Sequence, residues 1–175
     1  MRRVYIMGTS GSGKSTLGRE LARRLAADFI EIDSIYHQSG WTPLPLAEFR
    51  AQMTKRCAAP AWVVDGNYSA VRDIALASAD TIVFLDYPRS LVMGRLARRT
   101  LRRWVTQEEL WNGNRERARD WFSRDRERNL LLWAWTTHAR RHQQCVELER
   151  DPAYAHTERL RFTTPQQTAA WLASL

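Results

Sequence analysis

The residues best equipped for chemistry form one short run near the start of the chain, Gly8-Thr9-Ser10-Gly11-Ser12-Gly13-Lys14-Ser15-Thr16. Small residues at this spacing let successive backbone N–H groups turn inward around an anion. A helix beginning at the end of the run adds the favourable field of its N-terminus. Lys14 would reach the β- and γ-phosphates of a nucleoside triphosphate, and the Ser15 hydroxyl would ligate Mg²⁺. Gly8-x-x-x-x-Gly13-Lys14-Ser15 therefore predicts a phosphate cradle for ATP with Mg²⁺. A merely structural glycine turn would not need the strand before it and the helix after it.

Three aspartates stand where strands are expected to end. Asp65 closes an apolar run beside the cradle and would help hold Mg²⁺, a hard cation that takes oxygen ligands. Asp86 closes another run and competes for that role. Asp65 is favoured because Gly66 and Asn67 after it suggest backbone kept open for a ligand. Asp33 follows a third run, and in a parallel sheet the strand C-termini face the ligand crevice. It would accept a proton from an acceptor hydroxyl or help hold the metal, or it would simply cap a helix. Tyr36, Trp41, Gly66, Asn67 and Tyr68, with His37 among them, are candidates for the acceptor pocket.

Arg95, Arg98, Arg99, Arg102 and Arg103 recur at i, i+3, i+4, i+7 and i+8, one face of a helix. Val92, Met93, Leu96, Ala97, Leu101 and Trp104 take the other side. With no acid between Ser90 and Thr106, a triphosphate or another polyanion is a natural partner for the stripe. The 89–141 segment holds 14 arginines against 6 acids, which accounts for the whole net charge of +8. Arg115, Arg119, Arg124 and Arg126 alternate with acids and read mostly as salt-bridged surface. His138 and His142 have helical spacing but no carboxylate to complete a metal site, so they read as surface.

Elements that would position these groups can be traced along the chain. Strands are expected at Arg3 to Met7, Phe29 to Ile32, Ala61 to Val64, Thr81 to Leu85 and Arg159 to Phe162. Helices are expected at Lys14 to Ala27 and Leu46 to Cys57, with turn residues from Ser39 to Pro45. Thr164-Pro165 would start a terminal helix. Alternating strands and helices imply an α/β fold with a five-stranded parallel sheet covered on both faces. Ser90 to Arg150 reads as a helical excursion broken around Trp111 to Asn114. The chain, 1–175, thus reads as one domain with 90–150 as a helical, arginine-rich lid or insertion.

Composition agrees with a globular chain of 175 residues, 44% hydrophobic and 26% charged. No apolar run approaches the roughly 18 residues of a membrane span, and the start is too briefly apolar for a signal peptide. A cytoplasmic location is expected, with Cys57 and Cys145 as free thiols.

With these residues placed, the chain resembles the adenylate-kinase-like P-loop nucleoside and nucleotide kinases, and among them the bacterial topology modulation proteins. The likeness rests on residues 8–16, on Asp33, Tyr36 and Trp41, on Val63 to Ser69, on Thr81 to Arg89, and on the arginine-rich helix. It implies an ATP- and Mg²⁺-dependent phosphotransferase of the P-loop NTPase fold. Arg95 and Arg99 match the spacing of two arginines that neutralise transferring charge in adenylate kinases. Asp33 resembles the general-base aspartate of uridine-kinase-like proteins. Adenylate kinases have Asp-Gly-Phe-Pro-Arg where this chain has Asp65-Gly66-Asn67-Tyr68-Ser69. The arginine that binds a nucleoside monophosphate is therefore absent, and a hydroxyl-bearing small molecule is as plausible an acceptor as a nucleotide. The competing reading is an ATP-binding regulator that contacts DNA through the basic segment. It is not favoured, because acids and tryptophans interrupt that segment.

Overall fold

Five parallel strands form the centre of the molecule in the order β2-β3-β1-β4-β5. They are β1 (Arg3–Gly8), β2 (Asp28–Glu31), β3 (Trp62–Asp65), β4 (Thr81–Leu85) and β5 (Glu158–Phe162). The computed structural model describes residues 1–116, 123 and 129–175. Every residue of β3 and β4 is buried, as expected of parallel strands with both faces covered. Side chains alternate across the sheet. Tyr5, Met7, Val64 and Phe84 enter one core, and Val4, Ile6, Val63 and Val83 enter the other.

The first core is covered by α3 (Leu46–Cys57), α4 (Ser69–Ser78) and α6 (Leu130–Arg150), through Phe49, Met53, Val71, Leu76 and Cys145. The second is covered by α1 (Lys14–Leu25), the start of α5 (Arg89–Thr106) and α7 (Pro165–Ala173), through Leu17, Leu21, Val92 and Trp171. Thr164 and Gln167 form a reciprocal cap with Pro165 at the first turn, so α7 starts where the sequence placed it.

Register fixes the working edge. Ile6 lies opposite Asp65 and Gly8 opposite Leu85, so the loops after β1, β3 and β4 emerge side by side. The chain turns to the β3 side after β1 and later to the β4 side. The loop after β1 therefore sits where the connections diverge, the position at which open α/β sheets bind ligands.

Several boundaries differ from expectation. β2 ends at Glu31, because Ile32 already begins a five-residue helix, α2 (Ile32–Tyr36). Asp33 thus lies in a helical first turn. Helix α4 was not anticipated. Among the described residues, the excursion between β4 and β5 comprises α5, a 3₁₀ turn at Trp111–Gly113, α6 and a 3₁₀ turn at Pro152–Tyr154, with Arg117, Arg119, Trp121, Arg124 and Arg126 outside the described residues. The apolar side of α5 is shorter than the sequence implied. Val92, Leu96 and Thr100 are buried, whereas Leu101, Trp104 and Val105 are exposed. No helix among the described residues is long and apolar enough to cross a membrane.

Candidate phosphate-transfer site

The loop from Gly8 to Ser15 wraps the end of β1. Ser12 N–H donates to the Thr9 carbonyl at 3.0 Å, closing a tight turn, and Lys14 Nζ donates to the same oxygen at 3.3 Å. Gly11 has φ +88°, and a Cβ on it would stand 2.6 Å from the Val92 carbonyl oxygen of α5. Only glycine fits there, both for its backbone angle and for the helix pressed against it. Ser12 Oγ is buried and has no hydrogen-bond partner among the described residues, a polar atom that fits an incoming phosphate oxygen.

Asp65 is buried and accepts a 2.5 Å hydrogen bond from Ser15 Oγ. Burial pushes its carboxyl above the usual carboxylate range, against the opposing pull of Lys14 and the Ser15 hydroxyl. Ser15 and Asp65 would together offer oxygens to Mg²⁺. Among the described residues no three His, Cys, Asp or Glu side chains converge on a metal-sized space. The rest of the coordination shell would be phosphate and water, the usual arrangement for a cation that dehydrates reluctantly.

Asp86, the competing carboxylate, is engaged elsewhere. It accepts from Arg161 Nη2 at 2.6 Å and lies 2.8 Å from His142 Nδ1. Arg161 also reaches Glu149, so Asp86 belongs to a structural network between β4, β5 and α6. His142 is thereby tied down rather than idle, and His138 Nε2 lies 3.0 Å from the Tyr87 carbonyl oxygen.

Gly66 and Asn67 serve the loop more than an open pocket. A Cβ on Gly66 would stand 2.8 Å from that of Ile32, so glycine allows α2 to close on the end of β3. Asn67 donates through Nδ2 to the Gly8 carbonyl at 2.5 Å and accepts the Gly8 N–H at 3.3 Å. Its amide is spent on the phosphate loop instead of lining the acceptor side.

The candidate acceptor residues gather around α2. Tyr68 donates to Asp33 Oδ1 at 2.6 Å, and its oxygen lies 3.1 Å from His37 Nε2. Tyr36 packs against Tyr68 and Phe49, with ring centroids 4.7 and 5.2 Å apart. Trp41 meets His37 edge to face, Trp111 stacks on the imidazole, and the two indoles also meet edge to face. Trp111 arrives from the excursion, held by two asparagines that in the sequence stand only as an interruption. Asn114 accepts the Trp41 N–H at 2.8 Å and donates to the Gln38 carbonyl at 2.9 Å. Asn112 donates to the His37 carbonyl at 2.6 Å.

The arginine stripe divides along its length. Arg95 Nη1 reaches the Ser12 carbonyl at 3.5 Å, and its guanidinium lies 5.7 Å from the Tyr87 ring centroid. Burial holds the Arg99 guanidinium below the ordinary arginine range, with Arg103 adding to the effect and Glu116, Asp33 and Asp65 opposing it. Arg99 thus looks electrostatically towards both site carboxylates. Arg102 instead pairs with Glu108 at 3.0 Å and Arg103 with Glu116 at 3.2 Å. The far half of the stripe is paired with acids that follow the helix.

Comparison with known proteins bears on the fold. The Shikimate kinase family model matches residues 10–42, from the phosphate loop through α2 to Thr42. The chain is 29% identical over 105 residues to "Uncharacterized protein YqaC" of Bacillus subtilis (strain 168), a match spanning 59% of each chain. Among solved structures it resembles a gluconokinase from Sinorhizobium meliloti 1021, with TM-score 0.51, 22% identity, and 99% and 92% of the two chains covered. It also resembles a shikimate kinase from Bacteroides thetaiotaomicron, with TM-score 0.53, 16% identity, and 99% and 95% covered. The fold is that of the P-loop kinases.

Proposed function

We propose that this chain is an ATP- and Mg²⁺-dependent phosphotransferase whose acceptor is a small molecule bearing a hydroxyl group. The observation that carries this reading is the pairing of Asp65 with Ser15 at the loop, while a second carboxylate, Asp33, stands apart on Tyr68. Two carboxylates in different environments fit two roles, one holding a cation and one handling a proton.

In this reading the loop N–H groups and Lys14 bind the triphosphate, and Ser15 and Asp65 hold Mg²⁺. Held by Ser15 and Asp65, the cation would supply positive charge to offset that developing on the phosphates. Asp33 takes the acceptor hydroxyl proton as the acceptor oxygen forms its bond to the γ-phosphorus. The bond from the γ-phosphorus to the bridging oxygen breaks, and that oxygen leaves on ADP. Arg95 and Arg99 offset charge on the transferring group, and the 90–150 excursion acts as the lid that excludes water.

Aromatic walls and the serine at position 69 favour a ring-bearing hydroxyl compound over a nucleoside monophosphate as acceptor. The similarity to shikimate kinase and gluconokinase points the same way. The resemblance to topology modulation proteins names no reaction. Contact with DNA through the basic segment stays the alternative reading; of that segment, Arg102 and Arg103 carry acidic partners.

The test is a screen of sugars, sugar acids, cyclic polyols, nucleosides and nucleotides for stimulated ADP release, with Lys14→Ala as the blank. Stimulation by one compound, absent from the blank, is expected. Protein that binds no ATP in the presence of Mg²⁺ would sink the reading. Duplex DNA binding that falls steeply between two salt concentrations, without any stimulated ADP release, would favour the DNA-binding alternative.

A further inference from the structure

Helix α2 is one turn long, and it places Asp33 and His37 on the same side, with the His37 N–H bonded to the Asp33 carbonyl at 3.0 Å. Tyr68, from the loop after β3, sets its hydroxyl between them, 2.6 Å from Asp33 Oδ1 and 3.1 Å from His37 Nε2. A phenol has one proton to give. Burial raises its proton affinity and Asp33 raises it further, so the tyrosine stays protonated. The shorter contact, to a carboxylate oxygen that can only accept, takes that proton. The Tyr68 oxygen must then accept from His37, which fixes the imidazole proton on Nε2.

The other imidazole nitrogen fits this assignment. His37 Nδ1 is buried with no hydrogen-bond partner among the described residues, so a proton there would have nothing to bond to. The ring is enclosed by Tyr36, Trp41 and Trp111, and burial lowers its affinity for a second proton, while Asp33 opposes this. The hydrogen bond that the Asp33 carboxylate accepts goes to Oδ1. The hydrogen bonds therefore run from His37 Nε2–H to Tyr68 O–H to Asp33 Oδ1, and do not involve Oδ2.

We propose that Tyr68 and His37 are positioning residues that occupy Oδ1 of Asp33 and so present Oδ2 to the acceptor hydroxyl. This rests on the reading of Asp33 as the proton acceptor. Tyr68 and His37 do not touch the reacting atoms. They remove the rotational freedom of the carboxylate, so that the oxygen meeting the substrate is always the same one. A general base contributes through geometry before proton affinity, and a misplaced carboxylate loses much of its contribution.

The experiment has an arm that needs no acceptor. In the full chain labelled with ¹⁵N-histidine, long-range ¹H–¹⁵N correlation reports which nitrogen of His37 carries the proton, with His37→Gln assigning the signal. The proton is expected on Nε2 in the wild type and distributed over both nitrogens in Tyr68→Phe. The second arm uses the acceptor that gives the largest ADP release. Tyr68→Phe is expected to lower kcat roughly tenfold or more with KM for ATP unchanged, the scale of one hydrogen bond to a charged group. His37→Gln, whose amide N–H reaches the Nε2 position, is expected to retain more turnover than His37→Ala. A His37 proton on Nδ1 would overturn the proposal. So would wild-type kcat in both Tyr68→Phe and His37→Ala while Asp33→Asn is inactive, a result that leaves the base reading intact. Wild-type turnover in Asp33→Asn would overturn both.

Discussion

Asn67 satisfies both backbone groups of Gly8, donating to its carbonyl and accepting from its N–H, across 59 residues of sequence. The first residue of the phosphate loop is therefore held by a side chain from the end of the neighbouring strand. Asn67→Ala leaves those groups without their partner in a half-buried place. A loss of about 1–2 kcal/mol in stability is expected, from the usual cost of such orphaned groups. The same variant should weaken ATP·Mg²⁺ binding roughly tenfold, since 1.4 kcal/mol is a factor of ten. Thermal unfolding and calorimetric titration measure the two effects, and unchanged affinity would show that the loop holds its shape without Asn67.

Asp65 should oppose the fold it serves. Its proton affinity is raised in the folded chain, so the folded state binds more protons than the unfolded one, and stability falls as pH rises through the folded value. At neutral pH the buried charge is therefore a cost. Asp65→Asn is expected to raise Tm by a few degrees at pH 7. The gain should shrink as pH falls towards about 4, where a carboxylate takes up its proton. The variant should also lose the dependence of nucleotide binding on Mg²⁺. A lower Tm at pH 7 would refute the sign.

Both thiols should be inert in the native protein. Burial pushes Cys57 up to about 11 and Cys145 up to about 12, and both are buried in the core between the sheet and its covering helices. A thiol-reactive chromophore at pH 8 is expected to label neither until denaturant is added, and then to label two per chain. Rapid labelling of folded protein would contradict the burial of at least one.

Arg161 is expected to matter more for folding than for catalysis. Its partner Asp86 has a side chain only 7% exposed, and Arg161→Ala leaves that charge with the half-exposed His142 alone. A destabilisation of about 2 kcal/mol follows, less than for a fully buried pair because Arg161 itself keeps some solvent contact. Nucleotide affinity measured well below Tm should stay close to wild type. Chemical denaturation with a parallel nucleotide titration separates the two.

The sheet was readable because parallel strands covered on both faces are nearly continuous apolar runs, as in Trp62 to Val64 and Thr81 to Leu85. The loop was readable because its function is local, with every part within nine consecutive residues. α2 escaped notice since five residues show no period, and its first turn follows directly on a strand. α4 could have been found, as Val71, Ala75 and Leu76 recur at helical spacing. The roles of Asn67, Tyr68 and His37 depend on partners far away in sequence, and no spacing rule reports them. Asp65 and Asp86 share one local signature, a carboxylate ending a buried strand. Arg161, 75 residues downstream of Asp86, separates them.

The contact between Gly11 and Val92 bears on how the arginine helix can act. A helix whose second turn is seated against the loop has no pivot at its own base. Any swing of the excursion has to begin beyond Leu96, whose Cβ also lies against Gly11. Arg95, on the seated side, then belongs to the fixed frame and meets every nucleotide in the same place. If the excursion closes as proposed, Arg99, one turn further out, would stand at the root of the moving arm. Charge compensation by Arg95 would then be fixed, and that by Arg99 would depend on the swing.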